Sequence, residues 1–165
     1  DRYYQCAKKF SFSIIIRITA DNPLIDPTLV DLMIKEFQKG NYDYMTNSIP
    51  RTFPYGTEIE IFSFGSLEKA WKNAKKDSER EHVTPYFYAN PNLFRTYNFK
   101  NSENLSYLRW TLDEYGDLLL IQKIIEKIKK KPILLDDILN LHSKEPDLFK
   151  INENIRHNFL KEDKP

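Results

Sequence analysis

Two aspartates stand where carboxylates can do chemistry. Asp21 follows the run Ile14-Ile15-Ile16 and lies in a turn stiffened by Pro23 and Pro27, ahead of an amphipathic stretch. An unbroken β-branched run reads as a strand buried on both faces, the habit of parallel strands. Asp21 is therefore expected just past the carboxyl end of that strand, the edge at which open α/β sheets bind ligands. A carboxylate there can hold a divalent cation against a phosphate; an aspartate in a turn also serves as a plain cap. Asp113 takes a matching position, after the segment 107–112 and before a long helical pattern. Asp113 and Glu114 also read as capping groups.

Further groups carry polar chemistry. Arg80-Glu81-His82 precedes Thr84-Pro85. The guanidinium fork of Arg80 matches a carboxylate or phosphate, and His82 can donate or accept near neutral pH; a histidine at a helix start is more often structural. The turn Pro54-Tyr55-Gly56 leads into Glu58 and Glu60, which alternate with Ile59 and Ile61. Such alternation is either a solvated strand face or a row of acceptors for ligand hydroxyls. Arg109 can pair with a substrate anion or with a neighbouring carboxylate, and Trp110 beside it reads as core. Asp117 reads as a first-turn residue favoured by the helix dipole.

The elements that must position these groups follow from periodicity. Residues 1–9 read as the end of a helix and 13–19 as the buried strand. Asp26 and Pro27 open a helix that Gly40 stops. Residues 42–46 are expected as the next strand, parallel to the first across a right-handed crossover. Residues 58–62 alternate as a half-buried strand, and Ser63 or Ser66 caps a helix reaching 76. Residues 78–88 form another helix, cut by Pro85, and 93–99 alternate again. A short strand at 108–112 precedes a helix at 115–130, broken by Pro132, and a last helix at 135–142. Alternating strands and helices predict a three-layer α/β/α sandwich with a mainly parallel sheet. Residues 51–62 and 93–99 are expected as an antiparallel addition to it. One domain is expected over 1–150, with a charged tail over 151–165.

A chain of 165 residues, 41% of them hydrophobic, can bury one core. Lys+Arg 25 against Asp+Glu 24 gives a net charge of +1, without the basic footprint of nucleic-acid binding. No apolar stretch is long enough to cross a bilayer as a helix. The single cysteine, Cys6, forms no internal disulfide; a reducing cytoplasm is the expected setting, with Cys6 as a small core residue.

Four segments taken in order carry a resemblance: Arg17-Ile18-Thr19-Ala20-Asp21-Asn22-Pro23-Leu24-Ile25-Asp26-Pro27, Arg51-Thr52-Phe53-Pro54-Tyr55-Gly56-Thr57-Glu58-Ile59-Glu60, Arg80-Glu81-His82-Val83-Thr84-Pro85-Tyr86, and Leu108-Arg109-Trp110-Thr111-Leu112-Asp113-Glu114-Tyr115-Gly116-Asp117-Leu118. Each alone is weak; the ordered set closely resembles the spore-coat polysaccharide biosynthesis protein F family. Those are cytidylyltransferase-like relatives of the CMP-sialate and CMP-octulosonate synthetases. The resemblance implies a Rossmann-like nucleotide-diphospho-sugar transferase fold and transfer of CMP from CTP to a sugar or sugar acid, with pyrophosphate released, for surface glycan synthesis. It further implies Mg2+ held by Asp21 and Asp113, and sugar contacts from Arg80, His82, Gly56, Glu58, Glu60 and Arg109. A homodimer is implied as well. Where the family pattern usually has Asp, this chain has Glu58, which moves that carboxylate outward. Family members carry a further stretch before the matched region, with a loop rich in Arg, Gly, Ser and Lys for the nucleotide. No such loop occurs among the four glycines here, so these residues are expected to be the C-terminal portion of such a domain and inactive alone. Two alternatives stand beside this reading: a non-catalytic relative serving as a dimerisation module, and a glycosyltransferase of the same fold. The second lacks an Asp-any-Asp motif at the place it needs.

Overall fold

The computed structural model describes residues 1–155. Four short strands, β1 (Ile14–Arg17), β2 (Tyr44–Thr46), β3 (Glu60–Ser63) and β4 (Thr96–Asn98), form one sheet in the order β1-β3-β2-β4. β3 runs antiparallel to both neighbours, whereas β4 runs parallel to β2. All but β3 therefore share one direction. The helices are α1 (Arg2–Lys9), α2 (Pro27–Lys39), α3 (Phe64–Asn73), α4 (Asp77–His82), α5 (Pro85–Ala89), α6 (Tyr115–Lys127) and α7 (Leu135–Lys144), followed by a 3-10 turn at Pro146–Asn152.

The strand pleat sorts the core into layers, because successive side chains point to opposite faces. Ile15, Phe62 and Tyr44 are in register and pack on Tyr4 and Ala7 of α1, Leu67 and Ala70 of α3, and Phe87 of α5. On the other face, Ile61 and Met45 meet Leu29, Met33 and Phe37 of α2. The result is the expected α/β/α sandwich, but its sheet is mixed instead of mainly parallel: two of its three strand pairings are antiparallel, and β1 is an edge strand that is not buried on both faces. A further cluster centres on Trp110, which packs with Leu120 and Ile124 of α6, Ile138 of α7, and Phe149. Each such buried side chain contributes about 1.5–3 kcal/mol. Asp26 caps α2 through Oδ1, which accepts from the Thr28 and Leu29 amides, while its Oδ2 accepts from the Leu135 amide at 2.8 Å. One carboxylate thus fixes the starts of α2 and α7 together.

Several sequence expectations need correction. β1 and β2 do run in the same direction, but β3 lies between them. β3 runs antiparallel as expected, but it was expected half-buried, whereas its Glu60, Ile61 and Phe62 are all buried, because Glu60 is neutralised by partners described below. β4 is a parallel edge strand, not part of an antiparallel addition. The 108–112 segment is extended without joining the sheet: Arg109 bridges Tyr55, and the Leu112 amide donates to the Asp21 carbonyl at 2.8 Å. Cys6 is exposed, since Tyr4 and Ala7 take the inward face of α1. The tail does not begin at residue 151: Asn152 is buried at the end of the 3-10 turn, and residues 156–165 lie outside the described part. Among the described residues no helix is long and apolar enough to cross a membrane.

Candidate active site

Asp21 and Asp113 reach one place by different routes. The chain leaves β1 and closes a turn in which the Asn22 amide donates to the Thr19 carbonyl at 3.2 Å. The Asp21 carbonyl then accepts from the Leu112 amide at 2.8 Å and from Thr111 Oγ1 at 3.1 Å. This pairing sets the Asp21 turn against the segment that carries Asp113. Both aspartates line a cavity of about 590 Å³, together with Arg17, Arg51, Glu58, Glu60 and His82. Asp21 Oδ1 is buried and has no hydrogen-bond partner among the described residues. A buried carboxylate oxygen without a donor is costly; Arg17 Nε, from the same cavity lining, is likewise buried without a partner among the described residues.

Asp113 is held from behind. Arg109 Nη2 donates to Asp113 Oδ2 at 2.7 Å, and the same guanidinium grips Asp117 in two-pronged fashion at 2.8 and 2.7 Å. Asp117 also accepts from the Asp113 and Glu114 amides at 3.1 and 3.0 Å, and from Asn152 Nδ2 at 2.8 Å. Burial alone would raise the Asp117 pKa; the hydrogen bonds from Arg109, Asn152 and the two amides outweigh it and hold the carboxyl down to about 2. One guanidinium is thus shared between two carboxylates. Asp117 is fully buried whereas the Asp113 side chain is half exposed, which leaves Asp113 the member that faces a ligand. Arg109 does pair with neighbouring carboxylates, the second of the two readings open to it.

The opposite wall consists of internal ion pairs. Arg17 and Glu60 stand opposite each other in the β1–β3 register and pair directly, while the Tyr44 hydroxyl donates to Glu60 Oε1 at 2.6 Å. Burial first, then the Glu60 charge and hydrogen bond, push the Tyr44 phenol far above its ordinary pKa. Arg51 pairs with Glu58, and its guanidinium lies 3.7 Å from the Tyr55 ring centroid. Glu58 Oε2 accepts from the Gly56 amide at 2.9 Å. Gly56 itself does not line the cavity. Its φ of +98° and its approach to residues 110–111, where an added Cβ would lie 2.5 Å from the Thr111 nitrogen, explain the glycine.

Of the Arg80-Glu81-His82 group, only His82 reaches the cavity. Val83, with φ 69° and ψ −53°, forms a γ-turn closed by the Thr84 amide on the His82 carbonyl at 2.8 Å. That conformation is strained for a β-branched residue; here it ends α4 and turns both His82 and Thr84 onto the wall. Arg80 points elsewhere. Its Nη1 donates to the carbonyls of Trp71 and Ala74 at 3.4 and 3.2 Å, capping the C-terminal end of α3, where a cation suits the dipole. The structure therefore brings together Asp21, Asp113, His82, Glu58 and Glu60, places Arg109 and Gly56 behind them, and leaves Arg80 outside. It adds Arg17 and Arg51, which the sequence reading passed over as site residues. A cation at the end of an apolar strand and a glutamate inside one were the available signal, since buried charges come in pairs.

An α/β sandwich of Rossmann-like type with two loop carboxylates on one cavity, one of them just past a strand end, is a frame suited to a nucleotide-handling domain. The chain belongs to the Cytidylyltransferase family, whose pattern it matches over residues 1–155. It is 37% identical to an uncharacterized protein of Methanocaldococcus jannaschii over 98% of this chain and 66% of that protein. It is 30% identical to the spore coat polysaccharide biosynthesis protein SpsF of Bacillus subtilis over 89% of this chain and 62% of that protein. The structure of a cytidylyltransferase from Leptospira borgpetersenii superposes with a TM-score of 0.88 at 33% identity, covering 94% of this chain and 66% of that one. The chain thus spans just under two thirds of the length of each of these proteins.

Proposed function

We propose that the protein containing this chain transfers CMP from CTP to a sugar or sugar acid, releasing pyrophosphate, and that the cavity bounded by Asp21 and Asp113 is where the reacting groups meet. The observation that carries this reading is that both aspartates line one cavity in a member of the Cytidylyltransferase family. Transfer to a sugar hydroxyl at the α-phosphorus accumulates negative charge on phosphate oxygens, so positioning and charge stabilisation dominate the barrier.

The donor set fits magnesium, which takes one or two carboxylates and keeps water and phosphate oxygens for its remaining positions. Asp21 offers a buried oxygen with no donor among the described residues, and Asp113 offers a half-exposed carboxylate. When bound, magnesium would supply charge neutralisation at the phosphates. Arg109 and Asp117 fix the direction of the Asp113 carboxylate. Glu58, Glu60 and His82 are placed to orient the sugar hydroxyls, and the ion pairs behind the glutamates hold them still.

Pyrophosphate release by the complete encoded protein, measured with CTP, UTP, GTP and ATP over a panel of sugars, tests the reading. CTP should be preferred. Asp21→Asn should lower kcat/KM at least about a hundredfold, the scale of losing one electrostatic stabiliser of the transition state. No pyrophosphate from CTP with any acceptor would favour a non-catalytic module instead.

A further inference from the structure

We infer that Asn47, a buried residue outside the cavity lining, is the positioning residue that aims Glu58 at the acceptor sugar, its side-chain amide standing in for a strand that has turned away. The inference rests on the nucleotidyl-transfer reading and deepens it.

β2 and β3 pair in register as far as Thr46 opposite Glu60. Beyond Thr46 the chain turns off towards β4. The Ser48 amide donates to Thr46 Oγ1 at 3.2 Å, and Ser48 bridges Arg51. Asn98 of β4 holds the tip, accepting from the Ile49 amide at 3.1 Å and donating to the Pro50 carbonyl at 2.9 Å. The β2 backbone therefore does not continue alongside residues 57–59, and the Asn47 side chain takes its place. Its Nδ2 donates to the Thr57 carbonyl at 2.7 Å, and its Oδ1 accepts from the Ile59 amide at 2.9 Å. A carboxamide offers a donor and an acceptor, as a peptide unit does. Asn47 and Thr57 are each 1% exposed and Ile59 is 0% exposed, so water has no access to replace these bonds, and buried main-chain groups must be paired.

The two contacts bracket Glu58. The Thr57 carbonyl belongs to the peptide plane before the Glu58 Cα, and the Ile59 amide to the plane after it. Each peptide is planar, so holding both planes fixes the two backbone dihedrals of Glu58 and with them the direction in which its side chain leaves. Asn22, next to Asp21, adds a longer contact to the second plane, from Nδ2 to the Glu58 carbonyl at 3.4 Å. At its far end the Glu58 carboxylate pairs with Arg51 and accepts from the Gly56 amide. Arg51 sits on the loop that begins immediately after Asn47, so one asparagine both holds the glutamate's backbone and roots the loop that carries its partner. Glu60 is secured independently, within the ladder opposite Thr46 and Arg17. Loss of the Asn47 amide is therefore felt at Glu58, not at Glu60 or the two aspartates.

The test uses the complete encoded protein with CTP and magnesium, and reads pyrophosphate release. Hexoses, N-acetylhexosamines, hexuronic acids, and ulosonic and nonulosonic acids are offered, and the acceptor giving the highest wild-type rate is taken forward. Asn47→Ala should raise the KM for that acceptor about tenfold and leave the KM for CTP within about twofold, a coupling of the size found within one hydrogen-bond network. In a Glu58→Ala background, where the side chain being aimed is gone, the same substitution should change the acceptor KM by less than about twofold. Asn47→Ser, whose hydroxyl can satisfy only one of the two main-chain groups at a time, carries the same cycle if Asn47→Ala does not fold. An unchanged acceptor KM, an equal rise in both KM values, or full additivity with Glu58→Ala would overturn the inference and leave nucleotidyl transfer standing. No release by the wild type with any acceptor would overturn both.

Discussion

Asp117→Asn isolates the ion pair on which the geometry behind Asp113 depends. Asp117 is fully buried, and its pKa falls from an ordinary 3.8 to about 2 in the folded protein. A depressed carboxyl stabilises the fold above its unfolded pKa, and that contribution is lost as pH falls towards the folded value. The shift corresponds to about 2 kcal/mol at neutral pH, with about 1 kcal/mol already lost on going from about pH 6 to about pH 3. Asparagine keeps the shape and removes the titration. Urea unfolding followed by circular dichroism at the two pH values gives the stability change of each protein. The wild type should lose about 1 kcal/mol more than the variant over this interval, because all other carboxyls are common to both. Equal losses would show that Asp117 is not held by Arg109, Asn152 and the two amides, and the support proposed for Asp113 would fall with it.

Two other substitutions separate scaffold from site. Gly56→Ala should cost about 1–3 kcal/mol in the same unfolding assay, because a side chain at positive φ is strained and its Cβ would meet the Thr111 nitrogen at 2.5 Å; a neutral effect would contradict the described approach of the two segments. Arg80→Ala should cost about 0.3–1 kcal/mol of stability, as expected for a cation at a helix C-terminus, and leave the KM for sugar unchanged. A several-fold rise in that KM without loss of stability would return Arg80 to the substrate site.

Local signals were legible in the sequence. Asp26, Pro27 and Gly40 mark the ends of α2, and the structure shows the cap at Asp26 and the stop at Gly40. Asp21 and Asp113 were expected at two strand ends; Asp113 instead follows an extended segment outside the sheet, yet both line one cavity, and Trp110 is core as read. Pro85 divides α4 from α5 as expected. Apart from Cys6, on the outer face of its own helix, the misreadings are non-local. Nothing between 42 and 64 says that β3 inserts between β1 and β2; this depends on Ile61 and Phe62 finding apolar layers on both faces and Glu60 finding Arg17 and Tyr44. The extended segment at 108–112 looks like a strand because its apolar residues face the Trp110 cluster, yet its amides pair with Asp21 and Tyr55 instead of a sheet. Arg80 was misplaced because its partners, the last carbonyls of α3, come near only when the chain turns at 74–76. Asn152 was assigned to a tail because its partners lie at Arg109 and Asp117, far back in sequence.

The central claim is that Asp21 and Asp113 share one cation. Titrating Mn2+, an oxygen-preferring stand-in for Mg2+, into the complete encoded protein and following it by electron paramagnetic resonance measures this directly. Altering groups behind a metal ligand commonly costs about 10–100-fold in affinity, so removing a ligand charge should cost at least about tenfold. One site is expected in the wild type, weakened at least that much in both Asp21→Asn and Asp113→Asn. Binding of equal strength in the wild type and both variants would contradict the claim.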